Sequence, residues 1–359
     1  MTLLVRHERL RQRAELLARL RAFFAERGFL EVETPLLDWE IIPELHIEPF
    51  EVLNEADLRE QPLSREPTAR RRSGGDATSA APASRWLAAN AQGAGAPLWL
   101  QASPELHMKR LLAEGLPAIY QVTRSFRRGE RGQLHNPEFT MVEWYRAGDD
   151  MNAGIDLLDS LCREVAGAPP AVRTTYGQAF VEHASVDPYI ASCEELADAA
   201  TRLAISVPDT LRQNDRDEWL NLLLAAVVEP QLGAAAPEIL YDYPASQSAL
   251  ATTIMRPDGV EVAERFELYW RGVELANGYH ELADATILRG RLETVNRERT
   301  ADGRPALPLP QQLLAAMENP GLPACSGCAL GFDRLAMLTI GGASIDSVMT
   351  FPVELHKME

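Results

Sequence analysis

The amino-acid sequence predicts an α+β fold with a mainly antiparallel sheet flanked by helices. Segments with strand-like and helix-like patterns do not alternate regularly, as they would around a doubly wound parallel sheet. Helical periodicity dominates from about residue 151 to residue 233, and strand-like runs lie before and after it. A chain of 359 residues with 46% hydrophobic and 24% charged residues is long enough to bury one large core or two modest ones.

The N-terminal region predicts one amphipathic helix over residues 6–27 and then an extended segment. Apolar side chains recur at steps of three and four residues: Leu10, Ala14, Leu17, Leu20 and Phe24. Gly28 supplies the stop. Residues 29–37 follow as a strand-like run that is closed by a proline.

Residues 54–97 differ in composition from the rest of the chain. Gly, Ala, Ser, Pro and Arg dominate there, and the segment predicts a flexible, low-complexity insertion without a core of its own. The three arginines at 70–72 either contact an acidic partner protein or lie in a solvated loop. We therefore expect a single domain over residues 1–359 that carries this insertion.

The remaining elements are predicted from periodicity. Helices are expected near residues 104–114 and 219–228, and strands at 119–126, 139–146, 239–243, 266–270 and 273–276. A last strand and helix are expected within residues 324–340.

Composition excludes several classes of protein. No run of eighteen apolar residues occurs, so a membrane span is not expected. The N-terminus lacks a signal-peptide core, and four cysteines make no disulfide framework, which together predict a cytoplasmic protein. A net charge of −17 disfavours extended nucleic-acid binding, because phosphate backbones are bound by clustered cations.

A candidate phosphate-binding segment lies in the middle of the chain, although neither a Walker A motif nor a GxGxxG motif occurs. Residues 124–131 read RSFRRGER, and residues 135–145 read HNPEFTMVEWY. Arginine binds two phosphate oxygens at once, Phe139 offers a stacking face, and strand alternation puts Glu143 and Tyr145 on one face. From charge pattern alone, a nucleotide site and a solvated arginine-rich hairpin both remain open.

These residues resemble motif 2 of class II aminoacyl-tRNA synthetases of the lysyl branch. The string RGFLEVETP at 27–35 resembles motif 1, which forms the dimer interface in that family, and GCALGFDR at 327–334 resembles motif 3. The string RFELYWRGVELANGYHEL at 265–282 is similar to the lysyl metal and substrate segment, and LQASPELHMKR at 100–110 also matches.

The resemblance is strongest to a truncated branch, the elongation factor P–(R)-β-lysine ligases. Motif 1 begins near residue 27, which leaves one helix ahead of it and no anticodon-binding domain. Members of that family join (R)-β-lysine to a lysine ε-amine of elongation factor P. The resemblance thus implies ATP, Mg²⁺, a lysine-type amino acid, elongation factor P as the partner and a homodimer, without stable tRNA binding.

The resemblance also implies the residues that bind ATP and metal. Arg127 would grip the α-phosphate, Arg334 the γ-phosphate, and Phe139 would stack on adenine. Asn136 would lie near the ribose and phosphates. Glu267 and Glu274 match the magnesium carboxylates, and the further ATP-binding positions are Gly129, Glu130, Glu274, Leu275 and Gly331. Gly129 stands where the motif commonly has glutamate, so either Glu130 or a backbone carbonyl would contact adenine.

The amino-acid site that the resemblance implies is acidic. Glu143, Tyr145 and Glu281 would hold the distal ammonium of a lysine-type substrate. Ser103 and Glu105 would face its other amine, and Asn277 would lie near its carboxylate. Ala329 replaces the glycine of lysyl-tRNA synthetases, and its methyl group either favours β-lysine or simply fills space.

Three alternative functions share this core. A stand-alone lysyl adenylating enzyme would serve tRNA or a small acceptor, and an asparagine-synthetase-type relative would use a different side-chain pocket. A regulatory paralogue would have lost motif arginines and metal carboxylates. Arg127, Arg334, Glu267 and Glu274 are all present, which favours an enzyme.

Overall fold

The computed structural model describes residues 3–52 and 97–354. The predicted insertion lies outside the described residues except for Pro97. Within the described ranges, helices flank a nine-stranded, mainly antiparallel sheet and a separate three-stranded sheet. The predicted α+β class is confirmed.

The large sheet has the strand order β1-β5-β6-β12-β11-β10-β8-β7, and β9 pairs with β10. Its strands are β1 (Leu30–Glu31), β5 (Ala118–Phe126), β6 (Glu138–Ala147), β7 (Val172–Thr175), β8 (Glu238–Pro244), β9 (Thr253–Met255), β10 (Glu261–Trp270), β11 (Val273–His280) and β12 (Cys325–Gly331). The edge pairs β1–β5 and β7–β8 are parallel, and the other pairs are antiparallel. The small antiparallel sheet contains β2 (Leu37–Asp38), β4 (Leu98–Leu100) and β3 (Glu51–Val52), in that order.

The described α-helices are α1 (Leu3–Glu26), α2 (Glu105–Ala113), α3 (Met151–Ala166), α4 (Tyr176–Ala184), α5 (Cys193–Arg202), α6 (Arg216–Leu223), α7 (Ala285–Ala301), α8 (Gln311–Ala316) and α9 (Phe332–Ile340). Short polar side chains cap the N-termini of several helices by accepting hydrogen bonds from N–H groups of the first turn. Asp150 does so for α3, Thr175 for α4 and Ser192 for α5. The predicted helix near residues 104–114 and the strands around residues 119–126 and 139–146 are confirmed.

The apolar face of α1 differs from the prediction. Leu16, Leu20, Phe23 and Phe24 are buried, whereas Ala14 is exposed. Phe24 stacks on Tyr120 of β5 at a ring-centroid distance of 4.4 Å, and this contact turns the helix so that the larger side chains face the sheet. Burying a phenylalanine or leucine contributes roughly 2 kcal/mol each, far more than an alanine.

The extended segment over residues 29–37 was predicted as one run, and this is wrong. Only Leu30–Glu31 and Leu37–Asp38 pair with other strands. Pro35 lies between them, and proline has no N–H to donate to a ladder. Strand β7 was also missed, because its four residues lie at the sheet edge within a mainly helical region.

The core is divided by the sheet. One cluster packs α1, α3 and α9 against one face, through residues such as Leu20, Leu158 and Leu335. A second cluster joins α4, α5 and α6 to β8 and β10. A third lies under α2, α7 and α8 and includes Leu106, Tyr145 and Leu288. These contacts fix the central strands β6, β12 and β11, over which the candidate site lies.

Among the described helices, we find none with the length and apolar character needed to cross a bilayer.

Candidate active site

A cleft lies over the central strands and encloses about 1160 Å³, part of it open to solvent. It brings together almost all of the residues that the sequence predicted for the site. These are Ser103, Glu105, Arg127, Glu130, Asn136, Phe139, Glu143, Tyr145, Glu274, Leu275, Asn277, Glu281, Ala329, Gly331 and Arg334. Gly129 and Glu267 are the two predicted residues that do not line it.

One end of the cleft is cationic and is built by the β5–β6 hairpin. Arg127 follows β5 directly, and its backbone N–H donates to the carbonyl of Pro137, which closes the hairpin. Its guanidinium lies 5.1 Å from the centre of the Phe139 ring and 3.9 Å from Glu130 Oε1. Arginine stacks readily on aromatic faces while keeping N–H donors free. The arrangement suits a phosphate beside a planar base.

Arg334 lies in the first turn of α9, directly after β12. Its Nη1 donates to the Glu274 carbonyl at 2.8 Å and to Glu274 Oε2 at 3.2 Å, and its Nη2 lies 2.6 Å from His135 Nε2. Burial first, and then the charge of Arg334, lowers the pKa of His135, so the imidazole is neutral near pH 7. Two separate arginines therefore face the same end of the cleft.

Asn136 lines the cleft, but its amide serves the backbone. Its Nδ2 donates to the Glu138 carbonyl at 2.6 Å, and its Oδ1 accepts the Val353 N–H at 2.9 Å. The side chain is 2% exposed. Among the described residues, the nitrogen and the oxygen of this amide thus stabilise the loop that leads into β6.

The opposite end of the cleft is the acidic pocket, formed by Ser103, Glu105, Lys109, Glu143, Tyr145 and Glu281. Glu143 accepts hydrogen bonds from the Ser103 hydroxyl at 2.7 Å and the Tyr145 hydroxyl at 2.5 Å. All three carboxylates are at most 9% exposed. A buried carboxylate is stable only with donors or a cation beside it.

The backbone of β12 has to come very close to this pocket. Gly327 pairs with Tyr145, and a Cβ on it would lie 2.2 Å from Tyr145 Cε1 and 2.5 Å from Glu281 Oε1. Only glycine fits between these two side chains. Ala329, two residues later, pairs with Glu143 on one side and Asn277 on the other, so its methyl group lies among predicted substrate contacts.

Among the described residues, the buried acceptor Asn277 Oδ1 lies at the cleft without a hydrogen-bond donor. Two other buried acceptors at the cleft have a cation beside them: Glu281 Oε2 lies 2.7 Å from Lys109 Nζ, and Asp333 Oδ1 lies 2.5 Å from Arg13 Nη2. Leaving a buried acceptor unsatisfied costs about 1–3 kcal/mol. Asn277 Oδ1 is therefore suited to accept an N–H group from a ligand.

The carboxyl groups of the acidic pocket bind protons more tightly than usual. Burial, followed by the charge of Glu105, raises the pKa of Glu143 to about 8. Burial raises the pKa of Glu281 to about 7, and the charge of Glu105 adds to this while Lys109 opposes it. Near neutral pH these carboxyl groups therefore carry protons that a cationic ligand would displace.

The two predicted metal carboxylates lie in different surroundings. Glu274 is 40% exposed in its side chain and faces the cleft, whereas Glu267 is buried. Glu267 accepts hydrogen bonds from the hydroxyls of Tyr243 and Tyr269 and pairs with Arg265. No group of three or more acidic, histidine or cysteine side chains within residues 3–52 and 97–354 is arranged to hold a metal by itself.

The donor set nevertheless fits a magnesium ion that is shared with phosphates. Magnesium needs one or two carboxylates when substrate phosphates complete its shell. Burial raises the pKa of Glu229 to about 7, and repulsion by the charges of Glu267 and Glu274 adds to this, while Arg334 opposes it. A divalent cation beside Glu274 would relieve that repulsion.

Sequence reasoning missed several residues of the cleft. Glu44, Ile47, His135 and Tyr279 line it, and Lys109 lies in the acidic pocket. Arg299 of α7 is fully buried and donates to the carbonyls of Glu44 and Ile47, which holds their segment as one wall of the cleft. Burial raises the pKa of the Glu44 carboxyl, and the nearby charge of Arg127 opposes this. The rarity of lysine in this chain was a signal for Lys109.

Known proteins resemble this chain over most of its length. A family described as "tRNA synthetases class II (D, K and N)" matches residues 74–355. The chain is 42% identical over 344 residues to a protein named elongation factor P–(R)-beta-lysine ligase from Klebsiella pneumoniae (strain 342), covering 96% of this chain and 94% of that protein. A protein of the same name from Salmonella typhi is similar to the same extent.

Proposed function

Because the chain belongs to the family of elongation factor P–(R)-β-lysine ligases, within the class II tRNA synthetases, we propose that it is an ATP-dependent protein ligase. It activates (R)-β-lysine as an aminoacyl-adenylate and transfers it to the ε-amine of a lysine on elongation factor P. The observation that carries this proposal is the polarity of the cleft: Arg127 and Arg334 lie where β6 begins and β12 ends, and Glu143 and Glu281 lie further along these strands, beside Tyr145 and Gly327.

The first step is attack of the substrate carboxylate on the α-phosphorus of ATP, with pyrophosphate leaving. Arg127 stabilises the negative charge that develops on the α-phosphate, and Arg334 orients the γ-phosphate. Phe139 stacks on adenine, and Glu130 or the backbone at Gly129 contacts its amine. Such reactions depend on positioning and on charge stabilisation rather than on a protein nucleophile.

The proposed metal carboxylates are Glu274, at the cleft, and Glu267, behind it. Glu274 already faces Arg334, and Glu267 would exchange a tyrosine hydrogen bond for the ion. A magnesium ion held by these carboxylates would supply charge neutralisation on the phosphates.

The acidic pocket is the proposed amino-acid site. Glu143, Tyr145 and Glu281 hold the distal ammonium, Ser103 and Glu105 face the second amine, and Asn277 lies near the reacting carboxylate. The burial of Glu143 and Glu281 supports this assignment, because buried carboxylates are stabilised by a cation beside them. Aspartate or asparagine would bring an acidic or amide side chain to buried carboxylates, which disfavours an asparagine-synthetase-type substrate.

In the second step, the ε-amine of the acceptor lysine attacks the activated carbonyl. The new amide bond forms, AMP leaves, and the amine loses a proton. Elongation factor P is the named partner of the relatives, whereas a net charge of −17 works against stable tRNA binding. We also propose a homodimer through motif 1, because Leu30, Leu36 and Leu37 are exposed in the single chain.

The test is amino-acid-dependent ATP–pyrophosphate exchange, followed by transfer of labelled (R)-β-lysine to purified elongation factor P or to tRNA. Exchange with label on the factor supports the ligase. Label on tRNA alone would make the protein a minimal synthetase, and no exchange with any amino acid would favour a regulatory paralogue.

Replacing Ala329 by glycine is expected to improve the use of α-lysine relative to β-lysine by about tenfold in kcat/KM. Removing a methyl group beside the substrate is worth roughly 1–2 kcal/mol of discrimination. Exchange rates with the two amino acids, measured on the same preparation, give the ratio. An unchanged ratio would mean that Ala329 only fills space.

The KM for the lysine-type amino acid is expected to fall as the pH rises from about 6 to about 8. Both raised carboxyls are protonated and neutral at the low end, and binding an ammonium requires their ionised forms. Linkage allows up to about tenfold per pH unit for each proton released. The KM for ATP in the same buffers serves as the control, and a flat amino-acid KM would contradict the assignment.

A further inference from the structure

Lysine is almost absent from this chain. Lys109 and Lys357 are its only lysines, so nearly all of the 35 Lys and Arg side chains are arginine. Lys357 lies outside the described residues. Arginine presents a wide, planar fork, whereas lysine presents a compact point charge. Among the described residues, position 109 is the one that carries the compact cation.

Lys109 bridges two carboxylates that come from different parts of the fold. It lies on α2 one turn after Glu105, is 2% exposed, and donates a hydrogen bond to Glu105 Oε1. Its Nζ also lies 2.7 Å from Glu281 Oε2, just beyond the end of β11. These carboxylates are the ones proposed to face the two amines of the substrate. Lys109 thus sits between the two ammonium subsites.

Several other ionisable groups surround this trio. They are Glu44 before β3, Glu143 and Tyr145 on β6, Tyr279 and His280 on β11, and Cys325 on β12. Of these, only His280 can carry a positive charge, and it pairs with Glu264 at 2.5 Å. Among the described residues, Lys109 is therefore the cation of the acidic pocket.

The charges of the pocket match a ligand with two ammonium groups. Glu105, Glu143 and Glu281 contribute −3 when ionised and Lys109 contributes +1, which leaves −2. A diammonium amino acid brings this end of the cleft to neutrality. Without Lys109 the pocket would hold −3, and buried carboxylates in that situation take up protons instead of remaining ionised.

We propose that Lys109 is a positioning residue that determines specificity: its charge holds Glu105 and Glu281 at a fixed separation and offsets part of their negative charge in the buried pocket, so that the pocket selects an amino acid with two ammonium groups. This inference rests on the proposed function, because it assigns a role within the same amino-acid site. Lys109 acts through the two carboxylates and does not itself bind the ammonium groups, since like charges repel. Burial opposes its positive charge, but Glu105 and Glu281 outweigh this and raise its pKa, so it stays protonated and is no nucleophile towards the adenylate.

The test compares Lys109→Met with the neighbouring variant Arg110→Met in ATP–pyrophosphate exchange with (R)-β-lysine. Arg110 lies next to Lys109 on α2 and contacts His107 rather than the pocket. We expect Lys109→Met to raise the amino-acid KM roughly 30-fold at pH 7, the size of loss typical for one partner of a buried charge pair. The kcat and the KM for ATP should change less than about threefold, and Arg110→Met should resemble the wild type.

Two further readouts separate this role from simple packing. The pH at which the amino-acid KM levels off should move about one unit higher in Lys109→Met, since its carboxylates hold their protons more tightly. Discrimination between (R)-β-lysine and the monoammonium analogue 6-aminohexanoate should fall about tenfold, because the protonated pocket suits a single ammonium. An unchanged amino-acid KM, pH profile and discrimination would overturn the inference.

A second set of variants covers the case in which Lys109→Met does not fold. The double variant with Glu281→Gln removes both charges of one pair, so no uncompensated charge remains there. Its amino-acid KM is compared with that of Glu281→Gln alone. We expect the double variant to lose less than about tenfold beyond Glu281→Gln, because of the two contacts of Lys109 only the one with Glu105 is then still to be lost. A further loss near 30-fold would overturn the coupling.

Exchange by the wild-type protein shows whether the proposed function has failed or only the inference about Lys109. Absence of exchange with any diamino acid in the wild type would overturn the proposed function and this inference together. Normal exchange in the wild type, with Lys109→Met equal to it at every pH, would overturn the inference alone.

Discussion

Replacing Arg127 by alanine is expected to lower the rate of adenylate formation by about 100- to 1000-fold. Its guanidinium is held against Phe139 and near Glu130 at the cationic end of the cleft. Because the charge on the α-phosphate increases in the transition state, loss of this donor should lower kcat more than it weakens ATP binding. Amino-acid-dependent pyrophosphate exchange, with separate kcat and KM values for ATP, measures the effect.

The matched control is Arg128→Ala. Arg128 is the next residue, its side chain is 64% exposed, and it pairs with Glu48 outside the cleft. Its replacement should change kcat less than about twofold, since exposed ion pairs contribute little. Both variants should unfold at the wild-type temperature. Near-normal exchange in Arg127→Ala would remove this arginine from the phosphate site.

The sequence contained enough information to predict most of the cleft, because its residues lie in long, regular strands. Alternation along β6 placed Glu143 and Tyr145 on one face, and the Tyr145 hydroxyl does donate to Glu143. Arg334 follows a strand and opens a helix, as expected for the last motif. These features follow from spacing within single elements.

The features that could not be predicted depend on contacts between distant segments. The carboxylate of Glu267 is enclosed by Tyr243, which lies 24 residues away and reaches it only when β8 pairs with β10. Lys109 is placed between its two carboxylates by α2 and the end of β11, which are far apart in the chain. The spacing of residues along the sequence does not predict such pairs, because they form only when distant helices and strands pack together.

The polarity of the cleft suggests why one scaffold can serve both steps. The cationic end at Arg127 and Arg334 and the acidic pocket at Glu143 and Glu281 lie at opposite ends. A diammonium amino acid bound in the acidic pocket would therefore extend its carboxylate towards the phosphates. When the protein holds both reactants in this orientation, their translational and rotational entropy is lost on binding and not in the reaction step. The arrangement by which the pocket selects the amino acid thus also places its carboxylate for activation.

Replacing Glu274 by glutamine is expected to lower adenylate formation about 100-fold, a loss of roughly 3 kcal/mol of transition-state stabilisation. Glutamine keeps the size of the side chain but removes the charge that faces the cleft and pairs with Arg334. If this carboxylate holds magnesium, the variant should also need a higher Mg²⁺ concentration for half-maximal exchange. A magnesium titration of exchange, at fixed ATP and amino acid, measures both effects.

The control for this variant is Glu261→Gln, which removes an exposed carboxylate from β10 outside the cleft. It should leave both the rate and the magnesium requirement unchanged. A lower rate in Glu274→Gln with an unchanged magnesium requirement would assign Glu274 to the positioning of Arg334 instead. Since Glu267 is already bound by Arg265 and two tyrosines, that result would also remove the more exposed of the two proposed metal carboxylates. The magnesium would then depend on Glu267 and phosphate oxygens, which makes this titration the decisive measurement for the metal assignment.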